Sequence, residues 1–410
     1  MKNYLSKRAS GAKRSAIREL LKLTEKPDII LFAGGLPAPE TFPHNEFAKI
    51  AADELRGHYE NVLQYGLTEG SLTLRRAVAD WLRPHGLDLS VEQMLVTTAS
   101  QQALDLVSKA FLNMGDVIFV EAPTYLAALQ TFSLFEADKI AIPMDDDGMN
   151  LDILEQQIAA ARRAGKTMKA IYVIPDFQNP SGITMSLEKR KRLLEIARRE
   201  ELLIFEDGPY GQLRFAGESL PSIRSLDEEG RVILMITFSK VLAAGMRLGV
   251  LIADDPFMDV LVRVKQATDL CTSKLTQHIA ARYIKEYGME EHLKKIREMY
   301  HVKRDAMVAA LEKYMPKDEG ITWTNPEGGL FLWMRLPEEI DTEEMFPRAL
   351  ENKVAYVIGN AFYVDGRGRN EMRLSFSLGT PERIEEGIKR LAKVVSEELA
   401  AKHAQPVSSA

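Results

Sequence analysis

The feature that most constrains this chain is a series of short apolar runs with no polar alternation: Met94–Thr98, Val117–Glu121, Ala170–Ile174, Leu202–Phe205 and Arg231–Phe238. A strand without alternation is buried on both faces. Between the runs lie helical patterns. From about Gln101, the residues Ala103, Val107, Ala110 and Phe111 fall on one face, and Ser186 opens a helix carrying Leu193, Leu194, Ile196 and Ala197. Strands in alternation with helices predict an α/β domain: a mostly parallel sheet covered by helices on both sides.

The last third differs. Gly329–Leu336, Val354–Ile358 and Glu371–Phe376 read as strands. A long helix then starts at the N-cap Thr380, with Pro381 at its first position and Ile384, Ile388, Leu391, Val395 and Leu399 as its apolar stripe. This is α+β character. The expected organisation is a large domain over residues 51–295 and a smaller domain over residues 296–410, which the N-terminal segment 1–50 joins. The tail Ala404–Ala410 is small and polar.

Charge and composition narrow the class. A net charge of -6 argues against a nucleic-acid binder, despite a basic cluster at Lys7, Arg8, Lys13, Arg14 and Arg18. Cys271 is the only cysteine, as suits a reducing compartment. Apolar runs such as Val232–Phe238 are far short of the roughly 20 residues that cross a bilayer, and the N-terminus has no signal-peptide pattern. A cytoplasmic protein with no membrane partner is expected.

The sequence lacks a Gly-rich dinucleotide fingerprint, a P-loop and a His-Glu-x-x-His zinc site, and its seven histidines are scattered, so no metal site is expected. Four strand ends carry chemistry instead, and ligands of open α/β sheets bind at the carboxyl ends of strands. Thr97–Gln102 joins a strand to a helix with small and hydroxyl residues, which suits a phosphate at a helix N-terminus; Ser100 taken alone reads as an ordinary helix cap. Pro175–Gly182 contains the turn Asn179-Pro180-Ser181-Gly182, in which Asn179 offers an amide. Glu206-Asp207-Gly208-Pro209-Tyr210 ends a buried strand in acid, which needs a partner: a protonated cofactor nitrogen, an arginine or a helix N-terminus. Thr237-Phe238-Ser239-Lys240 leads to Arg247. A partly buried Lys240 has a lowered pKa and a nucleophilic amine, unless it snorkels to solvent. Together the four ends supply what pyridoxal 5′-phosphate (PLP) needs.

The segments Phe32–Pro37, Gln64-Tyr65-Gly66, Ser100-Gln101-Gln102, Glu121–Tyr125, Gln178–Gly182, Glu206-Asp207, Ser239-Lys240, Pro326–Gly329 and Met372–Ser375 run in one order across nearly the whole chain. In this the sequence resembles PLP enzymes of fold type I, in the class I and II aminotransferase group, and most of all the 2-aminoadipate and kynurenine aminotransferase branch. The resemblance implies that Lys240 carries PLP as a Schiff base and that Asp207 pairs with the pyridine nitrogen. Asn179 and Tyr210 would bond the ring oxygen and Tyr125 would stack on the ring. Ser100, Gln101, Thr237, Ser239 and Arg247 would hold the phosphate. Arg373 would take the substrate α-carboxylate, with Gly35 and Asn179 beside it; Arg18 is the candidate for a second acidic group, the alternative being a surface pair with Glu19 or Glu25. Tyr65 would reach the phosphate of a neighbouring subunit, making the active unit a homodimer with shared sites.

The implied reaction is ping-pong transfer of an amino group from 2-aminoadipate, an aromatic or a branched-chain L-amino acid to a 2-oxo acid such as 2-oxoglutarate. A PLP lyase or condensing enzyme is the alternative on the same fold. A non-catalytic regulator is disfavoured, because the segment before Phe32 is short for a winged helix. Four positions depart from the family pattern: Ala99 for glycine, Ala244 for proline, Leu330 for methionine, and Ser273-Lys274 in place of a proline-containing loop.

Overall fold

The runs without alternation become the middle of one sheet in the computed structural model, which describes residues 4–11, 28–317 and 319–404. After β1 (Ile30–Leu31), which lies outside this sheet, come β2 (Met94–Thr97), β3 (Val117–Ala122), β4 (Asp138–Asp145), β5 (Gly148–Met149), β6 (Met168–Val173), β7 (Leu203–Asp207), β8 (Val232–Thr237) and β9 (Gly249–Ile252). They form an eight-stranded sheet in the order β2-β9-β8-β7-β6-β3-β4-β5. The pairings β4–β3–β6–β7–β8 are parallel; β9 is antiparallel to both neighbours, and β5 to β4. Every residue of β3 and β8 is buried, as strands covered on both faces must be.

Three strands of this sheet, β4, β5 and β9, lie outside the expected set. β4 buries only Ile142 fully and contains Pro143, so it shows neither a buried run nor clean alternation. β9 follows directly on the loop that carries Arg247. The helix after β2 spans Ala99–Phe111, starting ahead of Gln101, and its N-cap is Thr98; Ser100 lies within the first turn.

The C-terminal strands are β10 (Thr322–Trp323), β11 (Phe331–Arg335), β12 (Val354–Ala355), β13 (Val357–Ile358) and β14 (Glu371–Ser375). β10-β11-β14-β13 is an antiparallel sheet. The expected strand Val354–Ile358 is split at Tyr356, which is buried and donates its hydroxyl to the Thr342 carbonyl at 2.6 Å. β12 pairs in parallel with β1, so residues 30–32 join this sheet layer; the Ser375 amide also donates to the Phe32 carbonyl at 2.9 Å. Gly387 permits that approach, since a Cβ there would lie 2.5 Å from Phe32 Cζ.

The closing helix spans Pro381–His403, with the Thr380 hydroxyl capping the Arg383 amide. Ile384, Ile388, Leu391, Val395 and Leu399 are all buried, each worth about 1.5–3 kcal/mol. This helix packs on helix Met289–Tyr314, which runs unbroken through position 295. Among the described residues no helix is long and apolar enough to cross a membrane.

One buried cation fixes the edge where the site lies. Arg190 is fully buried and donates to the carbonyls of Met185 (3.0 Å), Pro221 (2.8 Å) and Pro175 (3.1 Å), and to Asp176 at 2.8 Å. It thereby holds the chain leaving β6. Arg190→Ala leaves three carbonyls without this donor and Asp176 with only the more distant Arg214, at 3.8 Å, and should cost about 3 kcal/mol. Urea denaturation should show this as a lower midpoint at unchanged slope; an unchanged midpoint would show that the cage contributes nothing.

Candidate active site

The expected strand ends meet at the carboxyl edge of β6, β7 and β8 around a cavity of about 1350 Å³. Gly35, Ser100, Gln101, Tyr125, Asn179, Asp207, Tyr210, Thr237, Ser239, Lys240, Arg247 and Arg373 all line it. Tyr65 does not: it is 75% exposed on the outer surface, with Gly66 packed against the Lys274 side chain. Arg18 lies outside the described residues.

Three of the turns contain a non-glycine residue at positive φ: Ala99 (61°), Phe177 (48°) and Arg247 (50°). Such backbone is strained for an L-residue and tends to collect at functional sites. At Ala99 it explains why glycine suits this position. Gly249 is what lets the Ala99 turn sit close, because a Cβ there would lie 3.0 Å from the Ala99 backbone.

The first turn presents the N-terminus of helix Ala99–Phe111, which no side chain of the N-cap Thr98 closes. Gln101 Nε2 donates to Thr131 Oγ1 at 3.0 Å. Across the cavity, Thr237 Oγ1 donates to Ser239 Oγ at 2.9 Å and Arg247 Nη1 donates to Ser239 Oγ at 3.3 Å. The Ala244 carbonyl accepts from Arg247 Nη1 at 3.2 Å, so the loop holds its arginine with alanine in place of proline. Exposed amides, two hydroxyls and an arginine suit a phosphate dianion.

The period of two along β7 separates its two acids. Glu206 turns away from the cavity and accepts the amides of Ile223 (2.9 Å) and Arg224 (2.7 Å). Asp207 faces the cavity. Its Oδ2 accepts the Tyr172 hydroxyl at 2.7 Å, while its Oδ1 is buried without a hydrogen-bond partner. Burial pushes the Asp207 carboxyl up to about 6, against the Tyr172 bond, which lowers it.

Asn179 is held by its neighbour. Gln178 is fully buried; its Nε2 donates to Glu121 Oε2 (3.0 Å) and the Pro123 carbonyl (2.7 Å), and its Oε1 accepts from the Ser181 amide and hydroxyl. Asn179 Oδ1 then accepts from Arg373 Nη1 at 2.8 Å, and its Nδ2 points toward the Tyr210 hydroxyl at 3.5 Å. Arg373 is buried between Phe331 (4.1 Å to the ring centroid) and Phe362 (5.2 Å), donates to the Ala33 carbonyl at 2.9 Å, and keeps a buried Nε without a partner.

Lys240 Nζ donates to the Gly35 carbonyl at 2.7 Å. Burial, with Arg373 and Arg247 nearby, pushes its amine down to about 8. Among the described residues Lys240, Arg247 and Arg373 have no carboxylate within ion-pair distance, so three cations face one cavity in an acidic protein. Such a cavity suits anionic ligands. No cluster of metal-ligating side chains occurs among the described residues. The residues that the sequence reading left out are Tyr172, Glu121 and Phe331 as contacts of Asp207, Gln178 and Arg373. A tyrosine within an apolar run was a usable signal, because a buried phenol needs a hydrogen-bond partner.

The geometry fits PLP. The unpartnered Asp207 oxygen suits a protonated ring nitrogen, the helix N-terminus suits a phosphate, and Lys240 is a partly deprotonated amine.

Known proteins agree. The chain is 49% identical to an aromatic-amino-acid aminotransferase of Thermococcus litoralis, over 97% of this chain and 95% of that one. The structure of Pyrococcus horikoshii kynurenine aminotransferase in complex with PMP is 45% identical with a TM-score of 0.92, covering 97% of this chain and 98% of that one. The α-aminoadipate aminotransferase of Thermus thermophilus, complexed with N-(5′-phosphopyridoxyl)-L-leucine, is 40% identical with a TM-score of 0.90, covering 98% and 99%. The family model for aminotransferase class I and II matches residues 27–391, and the chain belongs to that family of PLP-dependent transaminases.

Proposed function

We propose that this enzyme moves the amino group of 2-aminoadipate, an aromatic or a branched-chain L-amino acid to 2-oxoglutarate, with Lys240 as the residue that holds PLP. The observation that carries the site assignment is the convergence of the Lys240 amine, the free Oδ1 of Asp207 and the Arg373 guanidinium in one cavity. The names of the relatives support the range of donors.

Bound there, PLP supplies the electron sink that makes the α-proton of an amino acid removable. This chain's residues do the rest. Asp207 pairs with the ring nitrogen and keeps it protonated. Asn179 and Tyr210 bond the ring oxygen, Tyr125 stacks on the ring, and Ser100, Gln101, Thr237, Ser239 and Arg247 hold the phosphate. Arg373 takes the α-carboxylate in a bidentate pair, which guanidinium geometry favours. Gly35 closes the wall beside it. The Lys240 amine would take the α-proton on Nζ and give it back at the cofactor's imine carbon, two atoms along, so that the proton is moved and not lost. Arg18 is the candidate cation for a second substrate carboxylate.

The active unit is a cytoplasmic homodimer in this reading. Leu55, Tyr59, Leu63, Tyr65, Leu67 and Leu72 are all exposed within one short stretch, an apolar concentration that monomers seldom show. A second copy seated there would bring Tyr65 to the neighbour's phosphate.

Three outcomes are expected. Each donor alone should release one equivalent of its 2-oxo acid per active site, and borohydride treatment of the yellow protein should fix the chromophore to Lys240 in peptide mapping. A label on another residue would refute the assignment. In protein stripped of cofactor, the acylation rate of Lys240 should rise with pH around a midpoint near 8, since the depressed amine becomes neutral there. A midpoint near the ordinary lysine value of about 10.4 would rule out depression by burial. Sedimentation should give at least a dimer, and a fully active monomer would exclude shared sites.

A further inference from the structure

Tyr172 lies on β6, the strand beside β7, and its ring is wholly buried, edge-on to Phe132 with centroids 5.4 Å apart. Its hydroxyl gives Asp207 the carboxylate's only hydrogen bond among the described residues, 2.7 Å to Oδ2. The other acid near Asp207 is Glu121. It faces the same edge without bonding Asp207, because its Oε2 is engaged by Gln178 Nε2 (3.0 Å) and the Ile174 amide (3.2 Å). Two other phenols, Tyr125 and Tyr210, line the same cavity, and the Tyr210 hydroxyl accepts from Asn179 Nδ2 at 3.5 Å.

This arrangement is selective. An arginine or lysine in place of Tyr172 would satisfy Asp207 but also neutralise it, leaving little attraction for a cationic ring nitrogen. A phenylalanine would leave both oxygens bare, so that the carboxyl would turn or take up a proton. A neutral phenol does neither. Burial and the nearby acids hold the Tyr172 phenol well above its ordinary value, so it stays a donor.

We propose that Tyr172 is a positioning residue for the cofactor: it claims one oxygen of Asp207 and so presents the other, still anionic, to the ring nitrogen. The inference rests on the reading of Asp207 given above.

Tyr172→Phe removes one oxygen and keeps the packing shape. Full-length protein freed of cofactor and titrated with PLP by absorbance should bind it about tenfold to a hundredfold more weakly, the range for losing a hydrogen bond to a charged group. Asp207→Ala should weaken binding in the same assay. In the Asp207→Ala background, Tyr172→Phe should change the dissociation constant by no more than about twofold, because no carboxylate remains to be held. A tyrosine that serves only the core would give additive losses instead, and additivity overturns the inference. So does a Tyr172→Phe protein that binds PLP normally while Asp207→Ala does not. If Asp207→Ala also binds normally, the assignment of Asp207 itself falls, and the role of Tyr172 with it.

Discussion

The site depends on the parallel pairing of β6, β7 and β8. Parallel strands must all end at the same edge, so the turns that follow them are brought together by the sheet, whatever their own sequences. The Asn179 loop, Asp207 and the Lys240 turn are neighbours because their strands are. β9, running the other way between β8 and β2, carries the chain back past the cavity, and Gly249 at its start lets the turn at Ala99 press against it.

Within that frame the electrostatics are deliberately unbalanced. Some buried charge is closed off: Arg190 sits in a cage of carbonyls with Asp176, and Glu206 accepts two amides. In the cavity, one oxygen of Asp207 and one nitrogen of Arg373 are left open. Buried polar atoms without partners cost about 1–3 kcal/mol each. At Asp207 and Arg373 these atoms belong to residues that line the cavity.

Much of this was legible in the sequence. The runs at Val117 and Val232 announced buried strands, and Thr380-Pro381 announced the closing helix. Lys240, Asp207 and Asn179 stood at strand ends whose residue types already suggested the chemistry, whereas Arg373, inside a strand, was implied only by the resemblance. The family resemblance then named the cofactor. What did not show was anything set by a neighbouring strand. Tyr172 looks like one more apolar residue in β6 until β7 is beside it, and Glu121 acts through Gln178, 57 residues away. β4 was hidden because an edge-side strand with a proline and charged residues matches no simple period. The break at Tyr356 was hidden because β12 and β13 serve different partners.

The wall formed by residues 30–36 has a consequence for how the protein is made. These residues are made well before their partners: Gly35 meets Lys240 across 205 positions, Ala33 meets Arg373 across 340, and Leu36 meets Ser377 across 341. Contacts of such long range form slowly and late. During synthesis the strands that end at Asp207 and near Lys240 can assemble before Arg373 and Ser377, the partners of Ala33 and Leu36, have been made. The nascent chain therefore passes through a stage in which Lys240 has been made but Arg373 and Ser377, which fasten the wall, have not.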